Sequence, residues 1–98
     1  MWTIFKTPAK AMGNSIEFVC WEMDEPIEIQ LEPDALLFKV MPGNAIRFVG
    51  ICAHQEFKWA LRVEHKNNGI QLMPAITAEH EIEIYENDVL LENRYKYM

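Results

Sequence analysis

Few residues of this 98-residue chain have side chains that could bind a soft metal ion. They are Cys20, Cys52, His54, His65 and His80. Structural zinc sites usually present paired ligands such as C-x-x-C, and a catalytic site needs three ligands close together. Only Cys52 and His54 are near each other in the sequence. We therefore predict that the protein holds no metal, that the cysteines pack in the interior and that the histidines lie at strand ends.

Cys52 and His54 are also the one pair that could act as a nucleophile and its base. A lone Cys-x-His is a weak signal, and the chain has no glycine-rich phosphate loop. Its acidic residues mostly alternate along strands, as Glu81 and Glu83 do, where water would solvate them. We expect a non-enzymatic protein with no catalytic residues and no cofactor.

Two tryptophans lie in strongly apolar stretches, and either fill the core or line a pocket in a small barrel. These are Trp21 and Trp59. His65 ends the strand face that carries Trp59, as a polar terminus or as a directing group at a pocket mouth. Trp21, Trp59 and His65 are therefore the candidate binding residues for an apolar small molecule.

The net charge is −6, because fifteen acidic residues outnumber nine basic ones. Nucleic-acid binding needs clustered lysine and arginine, so we expect no nucleic-acid partner. No stretch approaches the length of a membrane span, and no apolar run typical of a signal peptide follows Met1. We expect no membrane association and a cytoplasmic location, where Cys20 and Cys52 would stay free rather than form a disulfide.

The segment that follows position 56 predicts a strand around which the rest of the chain is organised. Phe57, Trp59, Leu61 and Val63 alternate with polar or small residues, which is typical of a strand with one buried face. A helix over 55–66 is the competing interpretation. Its apolar residues would form no narrow stripe, and strand is favoured.

A hairpin is predicted immediately after this strand. Asn68-Gly69 suits the two positive-φ positions of a type I′ turn. A two-residue loop there would place His65 opposite Leu72, so that Phe57, Trp59, Leu61, Val63 and His65 share one face with Ile70 and Leu72.

Other strands are predicted over 15–23, 27–31, 35–41, 45–52 and 80–86, with a further strand over 2–6 and a short helical turn over 7–13. Pro42-Gly43 fits a type II turn. Ile46, Phe48 and Ile51 are the main buried candidates of 45–52. A hairpin at Asn87-Asp88 would place Val89 and Leu91 on the face of Ile82 and Ile84, and the tail over 92–98 fits strand or helix.

Together these patterns predict a single domain over 1–98. It is all-β and mainly antiparallel, a small sandwich or barrel of about eight strands with at most one or two short helical turns. The two architectures cannot be separated by pattern alone.

The leading functional hypothesis is a protein-interaction module that forms a homodimer. The stretches 18–23 and 36–41 hold more apolar surface than one small core needs. If Ile16, Phe18 and Cys20 face the core, then Val19, Trp21 and Met23 are left for an interface, with Trp21 as anchor. A small barrel that binds an apolar molecule is the alternative.

Overall fold

The computed structural model describes residues 13–64 and 69–92, which form an all-β fold. The eight strands are β1 (Gly13–Val19), β2 (Ile27–Leu31), β3 (Leu36–Val40), β4 (Ala45–Cys52), β5 (Trp59–Glu64), β6 (Gly69–Pro74), β7 (His80–Glu86) and β8 (Val89–Leu90). The described residues contain no helix, so the helical interpretation of 55–66 is wrong. No helix in these ranges is long and apolar enough to cross a membrane.

The strands form two four-stranded sheets that enclose one core. The first sheet has the order β1-β4-β7-β8, and the second has the order β3-β2-β6-β5. Every pairing is antiparallel except that of β2 with β6, which is parallel. The predicted all-β, mainly antiparallel fold of about eight strands is confirmed. Of the two architectures left open by the sequence, the structure has the sandwich, because the sheets stay separate rather than closing into a barrel.

Alternating side chains explain why each strand has an inner and an outer face. Along β4, Ile46 and Phe48 are buried and point inward, as does Cys52. Ile51 lies on the opposite face and is half-buried, so its prediction as a core residue is wrong. The outer face of the second sheet is polar, and there Arg62 donates a hydrogen bond to Gln71 at 3.1 Å.

Phe48 lies at the centre of the core and is fully buried. Its ring makes edge contacts with Phe18 of the same sheet and with Phe38 and Trp59 of the opposite sheet, at centroid distances of 6.1, 5.5 and 6.4 Å. Edge-to-face packing is the favoured geometry for aromatic pairs. This cluster therefore joins the two sheets.

Two turns follow their local sequence. Gly43 has a φ of 89°, and the Asn44 amide donates to the Met41 carbonyl at 3.0 Å, as in a type II turn. Asn87 and Asp88 both have positive φ and connect β7 directly to β8. Both predicted turns are confirmed.

The predicted register of the β5–β6 hairpin is wrong. Leu61, rather than His65, lies opposite Leu72, and Glu64 lies opposite Gly69. The observed register differs from the predicted one by four residues. Side chains alternate between the two faces of a sheet, so this even offset leaves Leu61 and Val63 on the same face as Leu72 and Ile70, as predicted. Gly69 is paired in β6 instead of occupying a two-residue turn.

Several other predictions change or lie outside the described residues. The strand predicted over 15–23 ends at Val19, and the chain then turns. Gly13 begins β1 instead of ending a helical turn. The predicted strand 2–6, the rest of the predicted turn, His65, Asn68 and residues 93–98 lie outside the described residues.

Candidate functional site

A half-open groove of about 890 Å³ lies at one end of the sandwich. It is lined by Ile51, Cys52, Ala53, His54, Gln55, Ala78, Glu79, His80, Glu81 and Glu83. The groove brings together three of the residues that the sequence marks for chemistry. Four of these ten residues are apolar, and three are acidic.

His80 begins β7, and its ring is held in place. Its Nδ1 lies 2.9 Å from the Ala78 carbonyl oxygen, and because a carbonyl can only accept, Nδ1 donates this hydrogen bond. The ring also packs edge-on against Phe57, with 5.3 Å between centroids. His80 is thus a histidine at a strand end, as predicted.

Cys52 lies opposite His80 in the ladder between β4 and β7. Its side chain is only 1% exposed, whereas His54 is exposed in the loop that follows. A buried thiol cannot reach a substrate in solution. Cys52 and Cys20 are both free and buried, as expected for cysteines that pack as small apolar residues. In the described ranges, no three histidine, cysteine or acidic side chains are placed to share a metal ion.

The structure places the two candidate tryptophans far apart. Trp59 packs on Phe57 with 4.6 Å between ring centroids and donates its Nε1 hydrogen to the Asn14 carbonyl at 3.1 Å. Trp21 lies beyond Val19, at the other end of β1. The five residue steps from Asn14 to Val19 alone span about 16 Å. Trp21 and Trp59 therefore line no common pocket, and His65 lies outside the described residues.

Val19, Trp21 and Met23 together form what we call the Trp21 surface. Their side chains are 53%, 71% and 94% exposed. Cys20, which lies between Val19 and Trp21 in the sequence, is buried, and Ile16 and Phe18 pack against the core. These three residues were predicted to face the core. An apolar residue as large as tryptophan is seldom left so exposed without a partner.

Backbone hydrogen bonds hold the Trp21 surface in position. The Cys20 amide donates to the Asn44 carbonyl at 2.9 Å, and the Gly43 amide donates to the Cys20 carbonyl at 2.7 Å. The Asp24 amide donates to the Trp21 carbonyl at 3.0 Å and closes the turn. The type II turn at Pro42-Gly43 is therefore the support on which Trp21 is presented.

The surroundings of Trp21 are acidic. Glu22, Asp24 and Glu25 are all exposed. Burial raises the pKa of the Cys20 thiol, and the nearby negative charge of Asp24 raises it further. The thiol donates to the Glu25 carbonyl at 3.3 Å.

Arg47, on the adjoining strand β4, is already paired with acidic side chains. Arg47 donates to Asp88 at 2.7 Å and lies 3.7 Å from a Glu17 oxygen. The hydrogen bond to Asp88 is the main cause that raises the pKa of Arg47, so its charge is fully retained. Among the described residues, no ion pair joins Glu22, Asp24 or Glu25 to a basic side chain.

A second apolar surface lies along β5, the outermost described strand of the second sheet. Leu61 and Val63 were predicted to be buried, yet they are 47% and 51% exposed. They share a face with Leu72, which is fully buried, and with Ile70, which packs against the core. Because β5 is at the sheet margin, the described part of the first sheet does not cover these two side chains. We call this strand, with its exposed Leu61 and Val63, the β5 edge.

The backbone of the β5 edge also has groups that β6 does not satisfy. The Ala75 amide donates to the Lys58 carbonyl at 2.7 Å. This bond shows that Lys58, and every second residue after it, directs its backbone groups toward β6. Amide and carbonyl directions alternate along an antiparallel strand, so those of Trp59, Leu61 and Val63 point away from β6. The β5 edge thus combines outward backbone groups with exposed apolar side chains.

Sequence reasoning identified the Trp21 surface from its alternation with Ile16 and Phe18. It missed the β5 edge, because the alternation of Leu61 and Val63 with polar residues predicts a buried face. A pattern along one strand does not show whether the opposite sheet extends far enough to cover that face. Comparison with known proteins gives no relative from which a function could be transferred: no family model, no curated protein and no solved structure matches this chain.

Proposed function

We propose that this protein is a non-enzymatic interaction module that self-associates as a homodimer through the β5 edge. The observation that carries the proposal is the exposure of Leu61 and Val63 on the core-facing side of the sheet. An unprotected strand margin with apolar side chains is a template for pairing with another strand. A second copy of the chain supplies an identical strand.

The β5 edge suits this role better than the other three sheet margins in the described residues. On β3, the inward residues Leu36, Phe38 and Val40 are buried. On β1, Ile16 and Phe18 pack against the core. The β8 strand has only two residues, too few for a stable strand pairing. Val89 is exposed on that short strand, but among the three longer margins in the described residues only β5 has exposed apolar side chains on its inner face.

The residues of β5 favour one antiparallel register with a second copy. When Leu61 lies opposite Leu61 of the second copy, Trp59 lies opposite Val63, and all of these residues have outward backbone groups. In this register Lys58 faces Glu64, a pair of opposite charges. A register centred on Arg62 would place two like charges opposite each other, which is destabilising.

The expected assembly has two-fold symmetry, the commonest closed arrangement of identical chains. Covering the exposed halves of Leu61 and Val63 contributes roughly 1 kcal/mol for each side chain. Further contact from neighbouring segments would bring the interface toward the roughly 800 Å² per subunit of a specific complex.

The test is the molecular mass in solution across a dilution series. We expect twice the 11.5 kDa monomer mass at micromolar concentration. Leu61→Lys should give a monomer, because an ammonium group would be buried against its copy. Leu37→Lys is the matched control, since Leu37 is 44% exposed on β3 and lies on the outer face. A wild-type monomer at all concentrations, or a dimer that survives Leu61→Lys, would contradict the proposal.

The same experiment separates this contact from the one expected from the sequence. A dimer formed by Val19, Trp21 and Met23 would dissociate in Trp21→Ser, whereas a β5 dimer would not. Two copies joined at the Trp21 surface would bring their acidic side chains together, which disfavours that arrangement.

We also infer a cytoplasmic location, because the two cysteines are free and buried, as is usual in a reducing compartment. The alternative function, binding of an apolar molecule between Trp21 and Trp59, has less support because those side chains lie at opposite ends of β1.

A further inference from the structure

We propose that the Trp21 surface binds a basic, partly apolar segment of another protein, with an arginine or lysine side chain of that partner placed over the Trp21 ring. This inference concerns a different surface from the proposed dimer contact and goes beyond self-association. It rests on exposure, on fixed geometry and on charge.

The apolar part of the surface is large and held in place. Trp21 is 71% exposed although its neighbour Cys20 is buried. Backbone hydrogen bonds join Cys20 to Gly43 and Asn44, and the Asp24 amide donates to the Trp21 carbonyl, so the backbone at Trp21 is held in place. Exposed tryptophan held on a rigid support is characteristic of interface anchors, because little conformational freedom is lost on binding.

The charge of the surface selects the partner. Glu22, Asp24 and Glu25 are exposed and follow Trp21 within four residues of the chain. Arg47 on the adjoining strand is already engaged by Glu17 and Asp88. A second copy would add the same three carboxylates and be repelled. A basic segment is attracted, and a cation over an indole ring gains further from the negative face of the ring.

A shallow depression beside Trp21 offers room for a partner side chain. Its volume is about 330 Å³, and it is lined by Val19, Cys20, Trp21, Glu22, Gly43, Asn44, Ala45 and Asn87. The Asn87 and Asn44 side-chain oxygens already accept hydrogen bonds from the Ala45 amide and from Asn87 Nδ2. The acidic residue Glu22 is left beside the indole of Trp21. This combination suits the guanidinium of an arginine, which donates several hydrogen bonds in one plane.

The probe is a ten-residue peptide that alternates arginine and leucine, with a fluorescent label read by anisotropy. A peptide that alternates glutamate and leucine is its control. We expect binding of the basic peptide only, weakened at least tenfold by Trp21→Ala. The affinity should also fall as the salt concentration rises, because the contact is partly ionic.

Charge-reversal variants separate a local site from general attraction to an acidic protein. Glu22→Lys combined with Asp24→Lys should weaken binding at least tenfold. Glu79→Lys combined with Glu81→Lys makes the same change in net charge at exposed positions of the groove, and should weaken binding less than threefold. All four substitutions are at exposed positions, and circular dichroism checks that the variants are folded.

Three outcomes of the peptide-binding experiment would overturn the inference. They are equal loss of binding in the two charge-reversal variants, equal binding of the acidic and basic peptides, and full binding by Trp21→Ala. Loss of the dimer in Trp21→Ala would instead assign the surface to a second copy, and would also refute the inference. Failure of the β5 dimer in the Leu61→Lys experiment leaves this test unaffected.

Discussion

The ring of Phe57 lies directly over Gly50, in the space that a side chain at position 50 would fill. A Cβ added to Gly50 would come closer than 3.0 Å to three atoms of that ring. Phe57 is fully buried, and its backbone carbonyl accepts a hydrogen bond from the side-chain Nδ2 of Asn14 at 3.2 Å. Asn14 is the cross-strand neighbour of Gly50. The residue pair therefore attaches the segment before β5 to the first sheet, and so positions the β5 edge.

Gly50→Ala should destabilise the protein by about 1–3 kcal/mol, because the added methyl group displaces a buried aromatic ring. Urea denaturation monitored by circular dichroism measures the free energy of unfolding. Adding Phe57→Leu should cost less in the Gly50→Ala background than in the wild type, since the smaller side chain leaves room. Ser15→Ala, at an exposed position of β1, is the control and should change stability by less than about 0.5 kcal/mol. Additive effects of the two core substitutions would show that the ring does not depend on Gly50.

Gly43→Ala should destabilise the protein by about 1–2 kcal/mol for a different reason. The φ of 89° is unfavourable for a residue with a side chain, although the nearest atom to an added Cβ, Glu22 Cγ, is at an ordinary 3.8 Å. Gly43→Asn should cost less, because asparagine tolerates positive φ better than alanine does. Chemical denaturation of the three proteins provides the comparison. Equal stability of wild type and Gly43→Ala would contradict the strain argument.

Stability should fall as the pH rises above 10, partly because of Tyr85. Its hydroxyl donates a hydrogen bond to Glu83 at 3.0 Å, and this bond is the main cause that raises the pKa of Tyr85 above its ordinary value of 10.0, with burial adding to it. The folded state holds the proton more tightly than the unfolded state. The stabilisation is therefore complete below pH 10 and is lost as the pH passes through the folded-state pKa.

Urea denaturation at pH 8, 9.5 and 11 tests this prediction, with Tyr85→Phe as the matched variant. The phenylalanine keeps a ring beneath Arg47, whose Cζ lies 4.7 Å from the Tyr85 centroid. Its stability should decline less between pH 9.5 and 11 than that of the wild type. Parallel declines in the two proteins would show that the hydroxyl of Tyr85 does not contribute.

Patterns of residues close together in the sequence predicted those strands and turns whose geometry depends only on residues close together in the sequence. The bounds of β2, β4 and β7 were predicted from alternation and from the breaks that flank them. The turns at Pro42-Gly43 and Asn87-Asp88 follow from residues that tolerate positive φ. The prediction of the β5–β6 register was wrong because it took the turn signal at Asn68-Gly69 to fix the loop. In the structure Gly69 is already paired with Glu64, and the register differs from the predicted one by four residues.

The candidate surfaces show the same division. By itself, the sequence predicted that Val19, Trp21 and Met23 are left outside the core, and all three are exposed, although the strand ends at Val19. Only the tertiary structure decided that Trp21 and Trp59 lie at opposite ends of β1 and that β2 pairs in parallel with β6. It also decided that Leu61 and Val63 are exposed. Alternation specifies which side chains share a face, but the order of strands in a sheet and the reach of the opposing layer depend on contacts between distant segments, and these determine which part of that face is buried.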